Sequence, residues 1–389
     1  MNSTNQAFIP FHIPEIGEDE ISSVIETLRS GWLTTGPKVK KFERDFASYI
    51  GCSHAVAVNS GTAALHLALD AVGIKEGDEV IVPTMTFAAT AEVVLYFKAK
   101  PVLVDCEHDT LNLDPSRIES AITSKTRAII PVHFGGQPCD MNRILEIARQ
   151  YRLKVIEDAA HALPASHHGR TIGTVGDITC FSFYATKTIT TGEGGMATTE
   201  NSEWAERMQM MSLHGISHDA WNRYTQEGSW YYEIFNPGFK YNLTDIAAAI
   251  GIEQLKKCDR FHQARQQIAM RYHDCLADLP GLQVPTCRPD VQHAWHLYVV
   301  QLDLEQLRID RRDFIKALKA ENIGASVHFI PLHLHPFYRE SFGYEPADFP
   351  NASAAYERII SLPIYPKMTE ADIEYVISTV SKIVKQHRR

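Results

Sequence analysis

No two cysteines in this chain stand two residues apart, and no stretch of it stays apolar for long. The seven cysteines, Cys52, Cys106, Cys139, Cys180, Cys258, Cys275 and Cys287, are odd in number and widely spaced. That pattern argues against a disulfide scaffold and offers no zinc or iron–sulfur ligand set, so reduced thiols and no metal are expected. No apolar run approaches the roughly 20 residues of a membrane span. Met1 to Phe8 is polar and lacks a signal-peptide core. A cytoplasmic location with no membrane partner is the expectation. Positive charge is also short: 38 Lys and Arg face 47 Asp and Glu, a formal net charge of -9. This weighs against nucleic-acid binding, and an anionic ligand would need a local positive site. What remains is ordinary globular composition, 44% hydrophobic and 22% charged over 389 residues. That is enough chain for two domains and a large core.

From about Ser53 to Thr199, short β-branched runs alternate with amphipathic patterns. Strands are predicted at His54–Val58, Glu79–Pro83, Pro101–Asp105, Ala128–His133, Lys154–Asp158, Ile178–Phe183 and Gly195–Thr199. Helices are predicted at Thr62–Val72 and Met141–Tyr151. The alternation implies an α/β domain whose mainly parallel sheet is covered on both faces. His214–Tyr241 is rich in Trp, Tyr, Asn and Gly, and reads as a long ordered excursion. Thr244–Cys258 and Phe261–Leu279 read as helix and lead into a second domain. There, strands are expected at Leu297–Leu302 and Ser326–Phe329, and helices at Arg311–Glu321, Ala352–Ile360 and Glu370–Gln386. The division is set at 1–255, a large domain, and 256–389, a smaller α+β domain.

Chemistry concentrates at strand ends, where ligands gather in parallel sheets. Phe181 to Met196 carries Lys187 from an aromatic strand into a threonine- and glycine-rich turn. A desolvated lysine there can act as an amine nucleophile. Val155 to His161 is an apolar strand ending in Asp158, where an unpaired carboxylate would be costly. A lysine for a Schiff base and an aspartate for a protonated ring nitrogen are what pyridoxal 5'-phosphate needs. Asn59 to Leu65 follows a strand and opens a helix: Ser60 can cap it, the free backbone N–H groups suit an anion such as a phosphate, Gly61 lets the backbone come close, and Ser182 offers another hydroxyl, the alternative being a plain helix cap. Phe87 could stack on a cofactor ring, or be an ordinary core residue. His161 could bond the cofactor or Asp158, or be a satisfied core histidine.

Asn59–Leu65, Glu157–His161 and Ser182–Gly195 together resemble the DegT/DnrJ/EryC1/StrS family of sugar aminotransferases. So do Ser30–Pro37, Val132–Pro138, Lys240–Asp245 and Ser361–Pro363. The resemblance implies the aspartate-aminotransferase fold (fold type I of the pyridoxal-phosphate enzymes), with a seven-stranded large domain. It implies Lys187 as catalytic Schiff-base lysine, Asp158 as ring-nitrogen partner, and His161 beside the cofactor. Gly61, Thr62 and Ser182 would hold the phosphate, with Asn242 reaching in from a neighbouring subunit of a homodimer. Tyr184-Ala185 departs from the family's usual His-Pro or His-Ala.

Trp32–Pro37, His214–Tyr241 and His293–Leu297 look most like enzymes that aminate a UDP-linked 4-keto sugar. L-Glutamate would be the donor, 2-oxoglutarate the by-product and pyridoxamine phosphate the intermediate form. Lys240 and Arg223 are candidates for the sugar-nucleotide pyrophosphate, or plain surface charges. His328 and His333 are candidates for the sugar pocket. The alternatives are a dTDP-, GDP- or 3-keto-sugar aminotransferase, a pyridoxal-phosphate sugar dehydratase, and a non-catalytic regulator that binds a sugar nucleotide. A transaminase for small amino acids would need an arginine for a second carboxylate, and none is assignable.

Overall fold

The computed structural model describes residues 7–216 and 231–389. Nine strands come first in the chain: β1 (His54–Val58), β2 (Glu79–Pro83), β3 (Lys100–Val104), β4 (Thr126–Ile129), β5 (Lys154–Asp158), β6 (Ser166–His167), β7 (Arg170–Thr171), β8 (Ile178–Ser182) and β9 (Gly195–Thr199). Seven of them form one sheet in the order β1-β9-β8-β5-β4-β2-β3. All neighbours run parallel except β9, which is antiparallel to both β1 and β8. The strands are nearly continuous runs of Val, Ile and Ala because both faces are buried. One core cluster gathers Val56, Val82, Ile130, Ile156 and the Gly61–Ala71 helix. Another gathers Ala57, Ile81, Ile129, Val155 and the Met141–Tyr151 helix. The expected mixed α/β fold with a mainly parallel seven-stranded sheet is what the structure has.

The later chain forms a smaller sheet, β10 (Leu282–Gln283), β12 (Tyr298–Leu302) and β13 (Ile359–Leu362). The intervening β11 (Val291–Gln292) joins β6 and β7 instead. A third cluster packs this sheet against the Cys258–Leu276 and Glu370–His387 helices, and draws in Ile9.

Two local readings are corrected. Ser326–Phe329 is not a strand: only Ser326 bridges to Ser361, after which the backbone leaves the sheet and places His328 and Phe329 on a cavity. The expected Ala352–Ile360 helix ends at Arg358. Ile359 and Ile360 pair instead with Gln301 and Val300 of β12, as β-branched residues favour. Trp221, Arg223 and Trp230 lie outside the described residues.

Candidate active site

The carboxyl ends of β5 and β8 open onto a cavity of about 410 Å³. Its walls include Ser60, Gly61, Thr62, Phe87, Asp158, His161, Ser182, Lys187, His296 and His328. Side chains as far apart in the chain as Phe11 and Phe329 are thus brought together.

Asp158 ends β5 and is 7% exposed. Thr90 Oγ1 donates to its Oδ2 at 2.8 Å, and the Ala160 N–H donates to Oδ1 at 3.1 Å. Burial pushes its pKa above the usual carboxylate range, against the two hydrogen bonds and the charge of Lys187. A cationic partner would relieve that penalty. Glu157, on the other face of the strand, is fully buried. It pairs with His133 at 3.0 Å and accepts from the Gly176 N–H and Thr179 Oγ1, each at 2.7 Å. His133 Nδ1 accepts the Cys139 N–H, so the ring proton sits on Nε2, toward Glu157.

Lys187 sits in a tight turn after β8. Its N–H donates to the Tyr184 carbonyl, while Thr191 N and Thr190 Oγ1 both donate to the Phe183 carbonyl. Burial lowers the amine pKa from 10.5 to about 8, although Asp158 pulls it upward. Near neutral pH a far larger share of the amine is therefore neutral than for an ordinary lysine, as a nucleophile or base requires.

The Gly61–Ala71 helix is capped by Ser60, whose Oγ accepts the Ala63 N–H at 3.0 Å and whose carbonyl accepts the Ala64 N–H at 3.1 Å. The N–H groups of Gly61 and Thr62 are left at the helix's open, positive end. The backbone is drawn in too closely there for larger residues. A Cβ on Gly61 would lie 3.0 Å from that of Ser182, and a Cβ on Gly195 would lie 2.4 Å from the Ser60 carbonyl oxygen. This cradle beside Ser182 suits a phosphate.

His161 is 6% exposed, and its Nδ1 accepts the Gly135 N–H at 3.3 Å. Burial and the charge of Lys187 hold it neutral, with its proton on Nε2. Phe87 is 63% exposed, and its ring lies 6.0 Å from that of Phe329. His328 borders the cavity with Nδ1 2.8 Å from Ser361 Oγ; burial, then Lys187, lowers its pKa to about 4.

Three expected residues do not border this cavity. Asn242 bonds Thr35 Oγ1 at 2.7 Å; its expected reach is into a second copy. Lys240 is exposed, its carbonyl accepting from Asn59 Nδ2. His333 is the clear correction. It is wholly buried between Thr84 Oγ1 (2.8 Å) and Ser353 Oγ (3.0 Å), because both nitrogens and the ring are satisfied within the core. Three residues received no role from the sequence: Thr90, Phe329 and His296. His296 lay within the quoted His293–Leu297 motif, so its position was visible and its role was not.

The profile of the DegT/DnrJ/EryC1/StrS aminotransferase family matches residues 14–381. The chain is 57% identical to the uncharacterized protein MJ1066 of Methanocaldococcus jannaschii, over 98% of this chain and 99% of that protein. It is 52% identical to the spore coat polysaccharide biosynthesis protein SpsC of Bacillus subtilis, over 97% of each. Spr1654 of Streptococcus pneumoniae, provisionally named a sugar aminotransferase, superposes in its PLP-form with a TM-score of 0.91 and 35% identity. That match spans 97% of this chain and 99% of Spr1654; the PMP-form of Spr1654 superposes equally well.

Proposed function

The chain belongs to the DegT/DnrJ/EryC1/StrS aminotransferase family, and we propose that it moves the amino group of L-glutamate to a 4-keto nucleotide-linked sugar, a UDP-linked one being favoured. In class it is a pyridoxal-phosphate-dependent sugar aminotransferase. The observation that carries the reading is the meeting of a depressed-pKa lysine, a buried carboxylate and an open helix N-terminus around one cavity.

The residues fit the cofactor. The cradle of Gly61, Thr62 and Ser182 would hold its phosphate, Asp158 its ring nitrogen, and Phe87 and His161 its ring. When bound, pyridoxal phosphate supplies an aldehyde carbon that amines can attack and an electron sink for the pair left by deprotonation. Lys187 Nζ takes the proton from the donor's α-carbon. The lowered pKa makes that amine a competent base near neutrality. Asp158 stays anionic once a cation faces it, and Thr90 fixes its orientation. Neutral His161 offers an Nε2–H without adding charge. Donor and acceptor take turns in the same cavity, so the lysine serves both half-reactions. Lys187 also favours transamination over the dehydratase alternative, and a pure sugar-nucleotide binder would have no use for the lysine–aspartate pair.

A homodimer with shared sites belongs to the same proposal. The Glu18–Ser30 helix buries Glu20, Ser23 and Thr27 and exposes Ile21 (44%), Ile25 (39%) and Leu28 (52%). An apolar stripe turned outward supports a second copy as its cover. Asn242, Lys240 and Arg223 keep their proposed roles toward the phosphate and the sugar-nucleotide pyrophosphate.

The test is the visible absorbance of the cofactor-loaded protein. L-Glutamate is expected to bleach the imine band, and a UDP-4-keto sugar to restore it. Bleaching without restoration would refute that acceptor. No response to glutamate would refute the donor.

A further inference from the structure

His296 borders the cavity and is 5% exposed. Its ring centre lies 4.4 Å from that of His161, at 37°. Its Nδ1 is shut away without a hydrogen-bond partner, which leaves Nε2 as the nitrogen able to meet a ligand. Its backbone carbonyl is held by Arg265, which is 1% exposed. Arg265 Nη1 donates to the carbonyls of His296 (3.2 Å), Trp295 (3.3 Å) and Ile364 (2.8 Å). Arg265 Nε and Nη2 have no partner, and no carboxylate among the described residues pairs with this guanidinium.

These facts fix the character of the wall. A buried cation without a counter-charge is costly, and an anion entering nearby relieves that cost. Burial, and then His161, Lys187 and Arg265, keep His296 neutral. With Nδ1 shut away from any ligand, the tautomer with its hydrogen on Nε2 is the one that can donate to an anion in the cavity. His296 therefore offers a neutral N–H donor backed by uncompensated positive charge, which is chemistry for a carboxylate. No arginine borders the cavity among the described residues, so a direct guanidinium clamp is not offered there.

The anion that must come nearest Lys187 is the donor's α-carboxylate. It is bonded to the carbon whose proton Lys187 takes. A keto sugar brings no carboxylate to that point, and its diphosphate is separated from C4 by the sugar ring. Asp158 and Glu193 repel an anion from their parts of the cavity, and the Gly61–Ser182 cradle is reserved for the cofactor phosphate.

We propose that His296 contacts the α-carboxylate of the L-glutamate donor through Nε2–H, with Arg265 as the positioning residue behind it. The proposal rests on the aminotransferase reading above and names one of its subsites.

The experiment titrates the absorbance change of the cofactor-loaded enzyme with L-glutamate and with L-isoglutamine, which carries a carboxamide in place of the α-carboxylate. In the wild type, glutamate is expected to half-saturate at a concentration at least about tenfold lower, the scale of a hydrogen bond to a charged group. In His296→Asn and His296→Gln, the glutamate value rises by roughly ten- to a hundredfold while the isoglutamine value moves little, so the gap narrows. Arg265→Gln narrows it too, and Arg265→Lys restores it. The ratio is taken within each variant, so a general loss of folded enzyme cancels. A wild type that shows no gap, or His296 variants that keep it, overturns the proposal. A wild type blind to glutamate overturns the donor assignment and this subsite with it, and the first titration reveals that case.

Discussion

The two walls of the cavity are built on opposite plans. On the large-sheet side, the carboxylates are matched before any ligand arrives, and the Gly61 and Thr62 N–H groups at the helix end are the groups left open. Both oxygens of Asp158 have donors, Glu157 holds three partners, and Ser60 closes its own helix. On the side formed by His296, His328 and Phe329, polar atoms are left open. His296 Nδ1 and, behind it, Arg265 Nε and Nη2 find no partner among the described residues. Buried polar atoms are seldom left unmatched. The contrast teaches that one wall is preorganised around a group that stays through turnover, whereas the other waits for groups that come and go.

The largest effect should come from the residue between them. Lys187→Ala is expected to keep the fold and to lose turnover by more than the roughly 10²–10⁴ that a base alone contributes. Steady-state rates alongside circular dichroism check this, and appreciable activity in the variant would sink the role. The same lysine gives a pH signature. Its folded pKa, about 8, lies below the ordinary 10.5. Between those values the unfolded chain holds more protons, so stability rises with pH; below 8 the penalty is present in full. In cofactor-free protein, Lys187→Met should raise the melting temperature at pH 7, and its lead over the wild type should shrink by pH 10. A lead that is the same at both pH values would mean the amine is not desolvated.

A medium effect tests the matched wall. Thr90→Val removes the hydroxyl that donates to Asp158 Oδ2 and keeps the shape of the side chain. A charge-assisted hydrogen bond is worth about 1.5–3 kcal/mol, so the fall in kcat/KM should be roughly ten- to a hundredfold. It should appear in both half-reactions, since the proposed role of Asp158 serves both. If only the sugar half-reaction falls, Thr90 belongs to the substrate and the contrast between the walls is blurred.

The first wall was legible in sequence because local pattern and chemistry coincide there. β5 ends at Asp158, β8 leads into the Lys187 turn, and Ser60 opens a helix directly after β1. Strand periodicity fixed where those residues emerge, and the costs of burying them suggested why. Boundaries were mostly met within a residue or two where β-branched runs are bounded by Gly, Pro or Asp. The second wall was not legible. His296 and His328 come from segments outside regular strands, and Arg265 comes from a long helix whose pattern says only that one face is covered. No periodicity says which carbonyls a buried arginine will gather. Thr90 was hidden for a similar reason: it meets Asp158 from 68 positions away, and only the sheet order brings them together.

His333 gives the smallest effect on activity and the sharpest check on where the second wall ends. In sequence it stands near His328 and invites the same reading. In the fold it is not among the residues lining the cavity: it is wholly buried, with a hydroxyl on each ring nitrogen and its ring 4.5 Å from that of Phe349. It ties Thr84, just beyond β2, to Ser353 on the Pro350–Arg358 helix. Removing it costs Thr84 and Ser353 one hydrogen bond each, although Ser353 Oγ keeps the Pro346 carbonyl, and leaves a void beneath an aromatic ring. His333→Ala is therefore expected to cost about 2–4 kcal/mol of stability, read as a clear drop in melting temperature. Half-saturation by the keto sugar should stay within about twofold of the wild type at a temperature where both are folded. Should the sugar's value rise tenfold while the melting temperature holds, His333 would belong to the pocket after all. The line between open and matched chemistry would then have to be redrawn on its far side.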